Sequence, residues 1–290
     1  MLDTIFEITL SMSVVIVVVL LLSPVIEKRY SARWRYFVWL IIAIRLVIPF
    51  NITLPEAPIN VQTPMANVYV GVNTNTVEMQ QVSVTGDDVS YTVDESGETS
   101  VINEGNTNKQ NNVPLIDVLE KVWLVGAILF IGYHLINYGL FRNVINKDAT
   151  EVSIELTQEL QREMNLKNIP RIIISKKVLS PMLIGFIKPL VILPQIKYSA
   201  QELYMILKHE FMHYKRRDLW YKLLLIIANG IHWFNPIIYI MVKKANRDLE
   251  YACDDDVVKN EEKEYRKDYS RIILESMERS LSKKKSIEIK

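Results

Sequence analysis

Two histidines four residues apart bracket a glutamate in the run His209-Glu-Phe-Met-His213. On an α-helix, positions four apart lie only about 40° apart around the axis, so both imidazoles reach one point in space. That spacing lets a helix offer two nitrogen ligands to a metal ion. Glu210, one position on, is rotated by about 100° and lies beside the metal rather than on it. From there it can take a proton from an attacking water, as the general base of a metal-dependent hydrolase does. The plainer alternative is two surface histidines and a helix-favouring glutamate. With only 4 histidines in the chain, that coincidence is rare.

A hydrolytic zinc needs a third protein ligand and one open position. Downstream, Asp218, His232, Glu250 and Cys253 are the candidates. The segment Arg247-Asp-Leu-Glu250-Tyr-Ala-Cys-Asp254 puts Glu250 and Asp254 four apart on a helix face. This suits one carboxylate on the metal and a second orienting a ligand imidazole. Taken alone, the run Asp254, Asp255, Asp256 reads as a solvated helix face. Cys253, the chain's single cysteine, shares a face with Glu250 and remains a ligand candidate, although it reads first as a buried apolar residue. One cysteine excludes an internal disulfide framework and a four-cysteine zinc site.

The elements that must position these groups follow. Ser199-Ala-Gln-Glu202 has the form of a capping box, and the helix it opens runs unbroken through at least Arg216. Glu151–Met164 has apolar residues at helical spacing, while Arg171–Ser175 and Leu190–Leu193 are β-branched, proline-bounded runs that read as short strands. The Leu190–Leu193 strand is a candidate edge for an extended substrate. Leu219–Val242 is apolar enough to suggest a crossing. A single crossing there would put Glu250 on the opposite side from His209 and His213. Asn229-Gly230 and Asn235-Pro236 allow a break instead, and a helical hairpin over 219–245 returns Glu250 to the histidines. His232, near its turn, reads as a structural polar residue.

Elsewhere apolar and charged residues are segregated into blocks. Apolar residues make up 49% of the 290, and mean hydropathy is +0.11 despite 23% charged residues. Net charge is +1, which argues against direct nucleic-acid binding by bulk charge. Ile8–Ile26 carries no charge and is long enough to cross a bilayer. Its bases (Lys28, Arg29, Arg33, Arg35) follow it, which suits an uncleaved anchor with its N-terminus outside. Tyr36–Phe50 is a shorter second run that needs extension to about Leu54, or snorkelling of Arg45, to span. Val122–Phe141 is a third. Between them, 51–114 holds eight acids and one base, whereas 141–290 holds 27 of the 34 bases and 20 of the 33 acids. Within the acidic segment, Gln81–Val84 and Val89–Val93 are candidates for a small hairpin. Three crossings place the acidic segment outside and the basic one in the cytoplasm. The expected organisation is two transmembrane helices with a basic loop (1–54), an acidic extracellular loop (55–114), a third transmembrane helix (115–141) and a cytoplasmic domain (142–290). The fold class is an α+β membrane protein, with a mostly helical zinc-peptidase domain carrying a small sheet.

The three crossings, Ser180-Pro-Met-Leu-Ile-Gly185 leading to Pro189-Leu-Val-Ile-Leu-Pro194, the His209–His213 motif with Arg217-Asp218 behind it, and Glu250-Tyr-Ala-Cys-Asp254 form a specific set. Together they resemble the BlaR/MecR antirepressor family of integral-membrane zinc peptidases, over essentially the whole chain. The resemblance implies that His209, His213 and Glu250 hold Zn2+ and that Glu210 is the general base, with Asp218 and Asp254 orienting the ligands. It also implies a multi-pass protein of a bacterial cell membrane that cleaves a cytoplasmic transcriptional repressor, or itself, in signal transduction. The bilayer and that repressor are the expected partners, and a second copy of the chain is a further candidate. The best-known members add a fourth crossing and a penicillin-binding sensor, and this sequence ends at Lys290 with neither, so β-lactam sensing is not carried over to it. Two other readings are a non-catalytic membrane transducer with a structural or vestigial zinc site, and a general membrane-protein processing peptidase. An intact Glu210 argues against the first, because a structural site has no need of a base.

Overall fold

The computed structural model describes residues 2–48, 91–93, 99–101, 115–152 and 154–288. The chain clusters into two units, one formed by 1–50 with 119–290 and the other by 51–118. Helix α1 (Leu2–Arg29) continues the uncharged run to its basic end and exposes large side chains such as Leu10 and Leu21 along its length. Ser31 caps α2 (Ala32–Val47), its hydroxyl accepting from the Trp34 amide. In the second unit, β1 (Tyr91–Val93) pairs antiparallel with β2 (Thr99–Val101), Tyr91 facing Val101. The expected hairpin is thus displaced, since the Val89–Val93 run pairs downstream; Gln81–Val84 lies outside the described residues. Helix α3 spans Leu115–Asp148. Among the described residues, α1 and α3 are the two helices long and apolar enough to cross a membrane. The second expected crossing, α2, is 16 residues long and buries Trp39, Ile42 and Leu46. Residues 49–54, which would lengthen it, lie outside the described residues.

A four-stranded sheet follows, built from β3 (Thr150–Glu151), β4 (Arg171–Ser175), β5 (Met182–Ile184) and β6 (Leu190–Pro194) in the order β3-β4-β6-β5. Only β4 and β6 run parallel. Two expectations are corrected here. The helix assigned from Glu151 begins at Leu156 (α4, Leu156–Glu163), because Thr150–Glu151 pairs with β4 and the Val152 amide donates to the Ile172 carbonyl. Val152, Ile154 and Leu156 recur every second residue, which is the strand period. The Leu190–Leu193 run is no edge either. It lies between β4 and β5 with every residue buried, as an uninterrupted apolar strand should. The edge belongs to β5.

The capping box is present: the Ser199 hydroxyl accepts from the Glu202 amide, and the Glu202 carboxylate accepts from the Ser199 amide. It opens α5 (Ala200–Arg216), which ends at Arg217 in the left-handed region with φ 61°. Then α6 (Asp218–Ile231) runs out and α7 (Pro236–Val257) runs back, with Asn235 as N-cap and Pro236 in the first turn. Helix α8 (Lys263–Glu288) completes the chain. The hairpin packs on α1 and α2 through Leu225, Ala228, Ile238 and Met241. At its tip, the buried His232 ring lies 2.7 Å from the Thr9 hydroxyl and 3.1 Å from the Leu46 carbonyl, and Asn235 donates to Ser13 at 2.7 Å. His232 is structural and sits far along the hairpin from the two histidines. At the opposite end, Asp248 of α7 is fully buried and accepts from Arg35 at 2.9 Å and Trp39 at 2.8 Å.

Helix α3 meets this tip at Gly126, where a Cβ would fall inside the Trp233 indole. Trp123 there donates to the Ile231 carbonyl, and Trp233 to the Trp123 carbonyl. Gly126→Ala should therefore cost about 1–3 kcal/mol of stability through overpacking. Gly132→Ala and Gly139→Ala, where a Cβ meets open space, should be neutral or mildly stabilising. Thermal unfolding of the three variants in detergent micelles checks this contrast.

Candidate metal centre

Helix α5 brings His209, Glu210 and His213 to one wall, and the returning α7 brings Glu250, Cys253 and Asp254 against it. The two Nε2 atoms of the histidines are 3.1 Å apart. Glu250 Oε2 lies 3.1 Å from His213 Nε2 and 3.9 Å from His209 Nε2. Ligands at about 2.0–2.1 Å in a tetrahedron stand roughly 3.3 Å from one another, so this triangle has the dimensions of a zinc face. The donor set fits a divalent zinc-like ion.

Both rings are also turned the right way. His213 Nδ1 donates to Asp218 Oδ2 at 2.8 Å, which leaves Nε2 with its lone pair toward the triangle. His209 Nδ1 donates to the Tyr269 hydroxyl at 2.8 Å, and that hydroxyl donates to Asp254 Oδ1 at 2.6 Å. Lys222 of α6 donates to the other oxygen of Glu250 at 3.0 Å. Burial works against an imidazolium at His213, but hydrogen bonds to Asp218, Cys253 and Glu250 outweigh it and raise its pKa. Glu250 is held below its usual range: burial raises it, and His213 and Lys222 more than offset that.

Cys253 is the competing third ligand, since its Sγ and the histidine nitrogens all lie within 4.8 Å of one another. Its thiol is fully buried, points at the His209 carbonyl at 3.8 Å, and is pushed by burial up to about 11. The cavity in front of the triangle, about 480 Å³ in volume, is lined by His209, Glu210, His213 and Glu250 but not by Cys253. Glu250 thus faces the cavity and the Cys253 thiol does not, although both lie within reach of the two histidines. Edge strand β5 lines the same cavity through Met182 and Leu183, opposite Glu210.

Further ion pairs hold the two helices in register. Arg216 donates to Asp218 at 3.2 Å, to Asp256 at 2.6 Å and to the Ala252 carbonyl at 2.6 Å. Asp256 in turn is paired with Arg33 in the first turn of α2. Buried Lys208 ties α5 to Glu163 at 2.7 Å and to Glu261 at 2.6 Å. Of the residues singled out in the sequence, His209, Glu210, His213, Asp218, Glu250, Cys253 and Asp254 converge, and His232 does not. Tyr269, Lys222 and Arg216 were missed. Tyr269 reaches the site only because α8 folds back over α5, and no local pattern announces that.

The chain is similar to known proteins along much of its length. The chain is 28% identical to "Regulatory protein BlaR1" of Bacillus licheniformis over 174 residues, 57% of this chain and 29% of that protein. It is 24% identical to "Methicillin resistance mecR1 protein" of Staphylococcus aureus over 271 residues, 89% of this chain and 43% of that protein. "Regulatory protein BlaR1" of Staphylococcus aureus matches at 21% over 162 residues, 54% of this chain and 28% of that protein. The chain thus spans less than half the length of the curated relatives it matches. A family model described as BlaR1 peptidase M56 matches residues 3–289, from the first helix to the last. With nearly every residue inside that match, the chain belongs to the BlaR1 peptidase M56 family.

Proposed function

We propose that the protein is a membrane-embedded zinc endopeptidase acting in signal transduction, with His209, His213 and Glu250 as metal ligands and Glu210 as general base. The observation that carries this reading is the Nε2–Nε2–Oε2 triangle opening on a cavity that has Glu210 in its wall. Zinc bound there would act as a Lewis acid on the scissile carbonyl. Glu210, buried among apolar neighbours of α5, takes the proton of the attacking water and returns it to the leaving amine. Asp218 and the Tyr269–Asp254 pair hold the two imidazoles in the tautomer that leaves Nε2 free. An extended substrate adds to β5, the edge strand beside the cavity. Lys28 and Arg29 at the end of α1, Arg33 and Arg35 at the start of α2, and the base-rich C-terminal half support a site on the cytoplasmic side. A transcriptional repressor there, or the chain itself, is the substrate this reading favours. A purely contact-based transducer is less well supported, because nothing in such a role needs Glu210 beside the triangle.

Three outcomes test the reading. Glu250→Ala should lose zinc in metal analysis of the purified protein, and full occupancy in that variant would bring Cys253 forward. Glu210→Gln should keep zinc and lose cleavage by about 100-fold or more, because the amide accepts no proton. Proteomic comparison of cells carrying the native chain and this variant would also reveal the substrate; unchanged peptides would sink the mechanism. Asp218→Asn should weaken zinc binding by about 10–100-fold, read by competition with a chelator. For topology, in a Cys253→Ser background, a cysteine replacing Ser96 should react with an impermeant thiol reagent in intact cells, and one replacing Ser282 only after lysis.

A further inference from the structure

Among the described residues, the most exposed large apolar side chain is that of Ile187, 88% exposed at the tip of the turn between β5 and β6. The turn is rigid. Gly185 has φ +93° and a Cβ there would strike the Lys188 carbonyl, and Pro189 follows. A single exposed isoleucine is ordinary on a protein surface, so what meets it has to be read from the residues around it.

The neighbours of this turn indicate what that is. The Phe186 ring packs 5.7 Å from Tyr138 of α3 and 6.0 Å from Trp220 in the first turn of α6. Tyr138 lies in the last turn of the uncharged stretch of α3, just before Arg142, where a spanning helix leaves the hydrocarbon. Trp220 is 52% exposed, and it begins the helix that leads along α1 and α2 toward their far ends. The half-exposed Tyr30–Trp34 stack, at the turn between α1 and α2, marks the corresponding level on those helices. Beside the turn, a second cavity of about 390 Å³ is lined by Lys167, Lys215 and Arg217, and no carboxylate lines it. Exposed aromatic and aliphatic tips with cations behind them are the composition of a bilayer interface contact, where rings sit at headgroup depth and bases meet anionic lipid.

We propose that the β5–β6 turn and Trp220 form a bilayer anchor for the catalytic unit, with Phe186 and Ile187 entering the headgroup–acyl boundary and Lys188, Lys215 and Arg217 meeting anionic headgroups. The inference rests on the reading that α1 and α3 cross a membrane. It adds a consequence for the substrate. Because β5 runs directly into the anchor, a polypeptide adding to that edge must lie at the membrane surface, so the site takes segments presented there.

The test uses the full chain in phosphatidylcholine vesicles with and without phosphatidylglycerol, spin-labelled at Ile187→Cys, Leu129→Cys or Asn260→Cys. Unsubstituted protein gives the baseline for the buried Cys253. Accessibility to oxygen, which concentrates in lipid, is compared with that to a water-soluble nickel chelate. The label at 187 should show an oxygen-to-nickel ratio several-fold above that at exposed position 260, approaching lipid-facing position 129. Adding phosphatidylglycerol should raise it further. A water-like ratio at 187 with a lipid-like one at 129 would overturn the anchor and leave the spanning helices intact. Shielding of 187 from both reagents would mean a protein partner covers it, which equally overturns the anchor. A water-like ratio at 129 would sink the spanning reading itself.

Discussion

A metal centre divided between α5 and α7 exists only if the chain between His213 and Glu250 leaves and returns to the same place. One buried contact close to Glu250 does much to set register on the return. Asp248, two residues before Glu250, is locked to Arg35 and Trp39 of α2, with no exposure to solvent. Breaking a buried pair from one side typically costs about 3–5 kcal/mol, because the abandoned charge has no water to turn to. A slip of α7 by one residue would swing Glu250 about 100° away from the histidines. The N-terminal helices therefore take part in building the site, although they contribute no ligand to it.

The second tie acts on the other helix. From Arg33, through Asp256, Arg216 and Asp218, a continuous run of ion pairs and hydrogen bonds ends on the Nδ1 atom of His213. It connects the first turn of α2 to the orientation of the His213 ring. Lys208, pinned between Glu163 and Glu261, fixes the same stretch of α5 from the opposite side. With both helices held at several points, the triangle stands ready at metal-binding dimensions.

What the sequence made legible was whatever depends on local spacing. The His209–His213 pair, the Ser199–Glu202 capping box and the break at Asn235-Pro236 each act within a turn or two, and each is where it was expected. The hairpin followed from a geometric requirement, that Glu250 return to the histidines. Illegible were features decided by pairing across distance. Glu151 and Val152 fit a helix in isolation but are drawn to the open side of β4, and Leu190–Leu193 looked like an edge because its neighbour β5 is only three residues long. Tyr269 and Arg35 are ordinary residues in sequence that acquire roles from α8 and α2 folding against the core.

The polar junction at the far end of the hairpin has a further consequence, for the order in which the molecule can be built. His232 and Asn235 are buried against Thr9, Ser13 and the Leu46 carbonyl. In apolar surroundings each of these groups would cost several kcal/mol if left alone. The hairpin is made after α1 and α2, and apart from the Asn235 cap on the Ile237 amide, the His232 and Asn235 side chains find their partners on those two helices. Helices α1 and α2, synthesised first, must already stand as a receptor when α6 and α7 emerge. The N-terminal helices thus serve the later chain as an intramolecular template, and the C-terminal half made without them would carry an unsatisfied polar tip with nowhere to go.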